Sequence, residues 1–298
     1  MNYPRKHSFF LYFSLKLNVK FGGLRKKMYF CKKYFSFFVV IMIPKIIHLC
    51  WLSGDPYPPK IAKCLETWKK HLSDYEVVLW DTNRFDLNSS IWVRQAFEKK
   101  KYAFAADYIR FYALYHFGGI YLDSDVEVLK NFDDLLDLPY FMGVEKAQTP
   151  EAAIIGAEKG CDWIKQCLDY YKDRPFINED GSLNIQTVPA IMIRQVEQIK
   201  PVRVLTLEES LNIRNMDMQK ELLEFNDAFF SPKVFDSREV EITPYTYAIH
   251  HYQNSWFSHR AKAYYRTRAV LVKLFGQKLI REAEVMLMPW KFKKDKMT

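Results

Sequence analysis

From Ile43 onward, short apolar runs alternate with stretches that carry an apolar residue every three to four positions. Lys45 to Trp51 is an apolar run closed by Ser53-Gly54-Asp55-Pro56, the pattern of a buried strand ending in a loop. Residues 60–72 then place Ile61, Cys64, Leu65 and Trp68 on one helical face, and Tyr75 to Trp80 returns to an apolar strand. Helices are predicted over Ser90–Lys100 and Ala103–Phe117. The second is apolar nearly all round, which implies burial, and it stops at Gly118-Gly119, a glycine cap. Ile120–Leu122 reads as a short strand leading straight into Asp123-Ser124-Asp125, and Val126–Leu129 as its continuation. Further strands are predicted over 140–144, 152–157 and 247–251, and helices over 162–171 and 185–198. His259–Val285 reads as one long basic amphipathic helix, and 201–244 shows no regular pattern. This alternation predicts an α/β fold with a mostly parallel central sheet flanked by helices.

Charge changes the picture by where it sits. The chain of 298 residues has a net charge of +9, yet residues 1–45 carry ten Lys/Arg and no acid, and 259–298 carry eleven against three. The stretch between has 23 against 32, so the body is acidic and the basic character belongs to the ends. A basic tail with interleaved Tyr and Phe suits a solvated helix face or an anionic membrane surface; no nucleic-acid motif accompanies it, and nucleic acid is not an expected partner. Five cysteines with no C-x-x-C pair disfavour a disulfide framework and a structural zinc site, and point to a reducing cytoplasm. The apolar runs Phe9–Phe13 and Phe35–Ile43 fall short of a bilayer span of about 18 to 20 residues, and no A-x-A-like cleavage site follows them. Residues 1–41 are therefore read as an over-extended start ahead of Met42, 42–258 as the catalytic domain, and 259–298 as a basic helix and tail.

Three groups of residues can carry chemistry. Asp123 and Asp125, two carboxylates at the end of a buried strand, need a positive partner, because an unpaired buried carboxylate costs several kcal/mol. A divalent cation would serve, and so would a solvated turn if the D-x-D stood alone. Asp107 and Arg110 lie at i, i+3 on the apolar helix upstream, either as an intrahelical ion pair or as a polar wall for a ligand. His250-His251-Tyr252-Gln253-Asn254-Ser255-Trp256 after the last strand offers imidazole, hydroxyl, amide and aromatic groups, and Trp51 at the end of the first strand either closes the core or stacks on a base.

Four segments in this order, Ile43–His48 through Trp51, Ala106–Phe111, Phe117–Asp125, and His250-His251 with Ser255-Trp256, together resemble glycosyltransferase family 32. Those D-x-D sugar transferases occur in capsular and other polysaccharide clusters and are similar to the glucosyltransferase domain of the large clostridial toxins. The resemblance covers residues 43–257. It implies a GT-A type nucleotide-diphospho-sugar transferase fold, a retaining reaction and a Mn²⁺ or Mg²⁺ ion. It also implies that Trp51 stacks on the donor base, that Asp107 and Arg110 hold the donor sugar, and that Tyr121, Asp123, Asn254, Ser255 and Trp256 contact the donor. Asp107, Arg110, Asp123 and Asp125 are then the catalytic set, with Asp123, Asp125 and His251 as metal ligands. Near Glu151–Ala157 the chain departs from the pattern, with Ala152 where related sequences often have Asn.

The expected partners are a nucleotide-sugar donor, a UDP-sugar by preference, and a saccharide or lipid-linked oligosaccharide acceptor in cell-surface polysaccharide synthesis. The basic C-terminal helix would hold the body at the inner face of the cell membrane. One enzymatic rival is a haloacid-dehalogenase-like phosphatase, whose D-x-D normally has Thr or Val two residues after the second Asp, where this chain has Glu127. The non-enzymatic rival is a membrane-surface binding protein that acts through its basic ends and leaves the acidic body without a role.

Overall fold

The computed structural model describes residues 43–233, 239–253 and 259–287, with the backbone of three strands ahead of them. Those strands, β1 (Lys16–Phe21), β2 (Leu24–Phe30) and β3 (Phe37–Val40), form an antiparallel sheet in that order. The remainder of 1–41, and with it the Phe9–Phe13 run, lies outside the described residues.

The central sheet is built from β4 (Ile46–Cys50), β5 (Glu76–Trp80), β6 (Gly119–Leu122), β8 (Tyr140–Phe141) and β9 (Ile154–Ala157), in the order β5-β4-β6-β9-β8; the short β7 (Val126–Val128) lies apart from it. β4 runs parallel to β5 and to β6, whereas β9 runs antiparallel to both β6 and β8. Four strands thus point one way and β9 the other, the mostly parallel α/β sheet that the alternating pattern predicts. β6 is fully buried in the middle, as its unbroken apolar sequence requires.

α1 (Pro59–His71) starts with a proline in its first turn, buries Ile61, Cys64 and Trp68, and ends in Lys69, Lys70 and His71, cations suited to the negative end of the helix dipole. α2 (Ile91–Glu98) is capped by Ser90, whose hydroxyl accepts the Val93 N–H. α3 (Tyr102–Phe117) buries Phe104, Ile109, Phe111 and Leu114 and ends at Gly118, which has φ 66° and donates its N–H to the Leu114 carbonyl at 2.8 Å. Gly119, at φ 115°, then passes so close to β4 that a Cβ there would lie 2.6 Å from the Ile46 carbonyl oxygen. The two glycines let the chain turn directly from α3 into the centre of the sheet.

α4 (Asp162–Asp169) packs against α3 and α5 (Val188–Val196) against α4, and the unpatterned stretch after Pro201 holds a two-stranded parallel pair, β10 (Val202–Val204) and β11 (Leu222–Glu224), joined through α6 (Leu207–Leu211). The strand predicted over 140–144 is shorter, with Gly143 and Val144 making single bridges to Phe225 and Pro150. β12 (Ala248–His250) pairs antiparallel with β7, His250 opposite Val126.

The single C-terminal helix is corrected to two. α7 (His259–Phe275) and α8 (Gln277–Leu287) are separated by Gly276, whose φ of 81° ends α7. Arg268 and Glu284, 2.7 Å apart, tie the two helices together. No helix among the described residues is long and apolar enough to cross a membrane.

Candidate active site

β6 delivers Asp123 to the end of the sheet, where its Oδ1 accepts hydrogen bonds from Arg110 Nη2 at 3.1 Å and from the Tyr121 hydroxyl at 2.9 Å. Arg110 also lies 3.6 Å from Asp107, and its guanidinium stands 4.5 Å over the Tyr121 ring. The i, i+3 pair therefore reaches beyond its own helix and joins α3 to the strand end. Arg110 is 4% exposed, and the two carboxylates beside it supply the opposite charge that a buried guanidinium requires. Its Nε is buried with no hydrogen-bond partner among the described residues. Burial pushes the Asp107 carboxyl up to about 7, with Arg110 opposing and Asp123 adding to the rise. Near neutral pH Asp107 can therefore either donate or accept a hydrogen bond, which suits sugar hydroxyls.

Asp125 is held from the other direction. Its Oδ2 accepts the Gln253 N–H at 2.7 Å and its carbonyl accepts the His251 N–H at 3.1 Å, so the chain leaving β12 closes over it. His250 Nε2 lies 3.6 Å from Asp125 Oδ1, and its Nδ1 lies 3.2 Å from Glu151 Oε2. Glu151 is 1% exposed and is fixed by the Ala153 N–H at 2.8 Å. Burial disfavours a charged His250 ring, but Glu151 and then Asp125 outweigh it and raise its pKa to about 10. The cluster thus draws in a positive charge. Asp123, Asp125 and His250 each present a ligand atom within 4.8 Å of the others, and Glu145, Glu151 and His250 form a second such group. Two carboxylates and an imidazole fit a divalent cation. With Nδ1 donating to Glu151, Nε2 is the ring nitrogen left for it.

The structure brings His250 to the carboxylates where the sequence reading chose His251. His251 Nε2 lies 2.7 Å from Glu127 Oε2, and its Nδ1 lies 3.2 Å from Lys233 Nζ, so both ring nitrogens are engaged elsewhere. Trp51 stands at the end of β4, half-buried, its Nε1 donating to the Asp55 carbonyl at 2.8 Å and its ring 4.9 Å from that of Tyr57. Asn254, Ser255 and Trp256 lie outside the described residues. Ala152 is buried, and the neighbouring Ala153 carbonyl accepts the Asp123 N–H at 2.9 Å, so this segment supports the site through its backbone.

The Asp123–Asp125 turn and Arg110 lie within the stretch of the chain that matches a known family. Residues 58–142 match the family described as a glycosyltransferase sugar-binding region containing DXD motif. An uncharacterised glycosyltransferase of Acanthamoeba polyphaga mimivirus is 29% identical over 150 residues, 48% of this chain and 60% of that protein. Inositol phosphoceramide mannosyltransferase 3 of Schizosaccharomyces pombe is 30% identical over 130 residues, 42% of this chain and 36% of that protein. The chain thus spans 60% of one of these relatives and 36% of the other, less than two thirds of each. Both are named as sugar transferases, in agreement with an enzyme of the hexosyltransferase class. The solved structure titled PaToxG Glycosyltransferase superposes with a TM-score of 0.38 at 19% identity, covering 58% of this chain and 75% of that one.

The matched DXD region stops short of Glu151 and His250, the two groups that sequence reasoning did not assign. His250 stood in a recognised cluster, but its neighbour was preferred. What decides between the two histidines is the antiparallel pairing of β12 with β7, which sets His250 opposite Val126, one residue from Asp125. Glu151 lies 99 positions from His250 in sequence, and only the fold joins them.

Proposed function

We propose that this protein is a retaining hexosyltransferase that moves a sugar from a nucleotide-sugar donor, a UDP-sugar by preference, to a saccharide or lipid-linked acceptor during cell-surface glycan assembly. The observation that carries this reading is the convergence of Asp123, Asp125 and His250 beside the buried Arg110–Asp107–Tyr121 wall. Arg110 and Asp107 bind and orient the donor sugar through its hydroxyls. Trp51, paired with Tyr57, offers an aromatic face for the nucleobase. Asp123, Asp125 and His250 would hold Mn²⁺ or Mg²⁺, which when bound offsets the charge developing on the departing diphosphate. Retention fits a front-face attack. The acceptor oxygen bonds to the anomeric carbon as the bond to the diphosphate oxygen breaks, and its proton passes to that departing oxygen, with no protein nucleophile required.

A membrane-borne acceptor is supported by the printed name of the Schizosaccharomyces relative and by the α7–α8 pair, which exposes Leu274, Phe275, Leu279 and Met286 beside Lys273, Lys278 and Arg281. The test is donor hydrolysis against UDP- and GDP-sugars with and without Mn²⁺, in wild type and Asp125→Ala. Metal-dependent turnover that falls at least about a hundredfold in the variant is expected. Undiminished turnover by folded Asp125→Ala would remove the assigned role of that residue.

A further inference from the structure

A cavity of about 800 Å³ opens between α1, the β7–β12 pair and α7. It is not the cleft over the carboxylates, since Trp51, Asp107, Arg110, Asp123, Asp125 and His250 are all absent from its walls. It is nevertheless adjacent to them, because Gln253 lines it and donates its N–H to Asp125 Oδ2. Its volume falls within the roughly 300–1,000 Å³ common for small-molecule sites.

The walls are cationic. Lys60 and Lys63 come from the first turns of α1, Lys233 from the segment before β12, and Arg266 from α7. Lys60, Lys63 and Arg266 form no ion pair among the described residues, although the body of the chain has an excess of acids. One acidic residue, Glu127, lines the cavity, and its Oε2 is engaged by His251 Nε2 at 2.7 Å. His251 in turn faces Lys233 through Nδ1 at 3.2 Å, so a Lys233–His251–Glu127 chain ties up the carboxylate and leaves the other three cations to a ligand. Tyr265 adds an aromatic wall.

We propose that this cavity is the acceptor subsite and that the acceptor carries a phosphate group. The acceptor role rests on the transferase reading above. A phosphate offers several charged oxygens that separate lysines and an arginine can reach at once. The donor's own diphosphate belongs beside Asp123 and Asp125, so these cations serve a second anion. The phosphate could be a soluble monoester or a lipid headgroup diester, and the α7 wall runs on toward the exposed Leu274 and Phe275.

The test uses the full chain with two probes, glycerol 1-phosphate in solution and phosphatidylcholine vesicles with and without phosphatidylinositol. Lys60→Ala/Lys63→Ala is compared with the charge-matched Lys69→Ala/Lys70→Ala at the opposite end of α1; all four lysines are exposed, so both variants keep the fold. The first variant is expected to lose about tenfold in affinity for one probe, and the second less than about twofold. Loss for glycerol 1-phosphate identifies a soluble ester, and loss for the vesicles alone identifies a headgroup. Equal losses in the two variants, or none in either, overturn the proposal. So does displacement of the probe by UDP or GDP with Mn²⁺, which would make the cavity part of the donor site. A wild type that hydrolyses no donor yet binds the probe as described overturns the transferase reading and the acceptor role while leaving the anion site standing.

Discussion

Two adjacent histidines at the end of β12 face different partners because successive side chains of an extended chain point to opposite sides. His250 turns toward Asp125 and Glu151, His251 toward Glu127 and Lys233. His250→Ala is expected to weaken Mn²⁺ binding by about ten- to a hundredfold and Glu151→Gln by about tenfold, with His251→Ala within about twofold; titration calorimetry of Mn²⁺ checks all three. A change confined to His251→Ala would reverse the assignment. His48 carries a separate prediction. It is buried in β4, with Nε2 2.8 Å from the Gly118 carbonyl and Nδ1 accepting the Trp80 indole N–H at 3.1 Å, and burial lowers its pKa to about 4. Between that value and the ordinary 6.5 the unfolded chain takes up a proton that the folded chain does not. Its contribution is thus fully present above about pH 6.5 and is lost as pH falls through about 4, by about 3 kcal/mol. Urea unfolding across that window should show the slope in wild type and a flatter one in His48→Gln.

At the scale of elements, the turn from α3 into β6 is the tightest fitted joint. Gly119→Ala would combine a positive φ with a Cβ 2.6 Å from a backbone oxygen that cannot move aside, and a loss of about 3 kcal/mol or more is expected in urea unfolding. Gly54→Ala, at φ 71° with nothing within 4 Å, should cost about 1 kcal/mol. This joint was legible in sequence because its signals are local: an apolar helix, two glycines, a three-residue apolar strand and two aspartates, with Asp107 and Arg110 one face away. The break at Gly276 was also written in the sequence, but amphipathic periodicity ran through it and masked the glycine. Which of the two histidines faces the carboxylates was not legible, since a one-residue shift in strand register exchanges His250 for His251, and register is set by pairing with β7. β10, α6 and β11 escaped notice because each is too short to establish a period.

Across the whole molecule, charge divides between an acidic body and basic ends. The α7–α8 pair carries exposed Leu274, Phe275, Leu279 and Met286 among cations, a surface suited to shallow insertion at an anionic interface. The protein is expected to co-sediment with anionic vesicles at low salt and to release as salt rises, and Leu274→Asp/Phe275→Asp should reduce the bound fraction severalfold; equal sedimentation with neutral vesicles would argue against the surface.

The closure of β12 over β7 has a consequence for synthesis. Asp125 and the Gln253 N–H that holds it are 128 positions apart, and His250 lies 99 positions after Glu151. On the ribosome the sheet, the Arg110 wall and both aspartates emerge long before the last strand does. A nascent chain halted before Ala248 would carry both aspartates and Glu151 and still lack the imidazole of the candidate cation cluster, so its three candidate groups exist together only once β12 has been made.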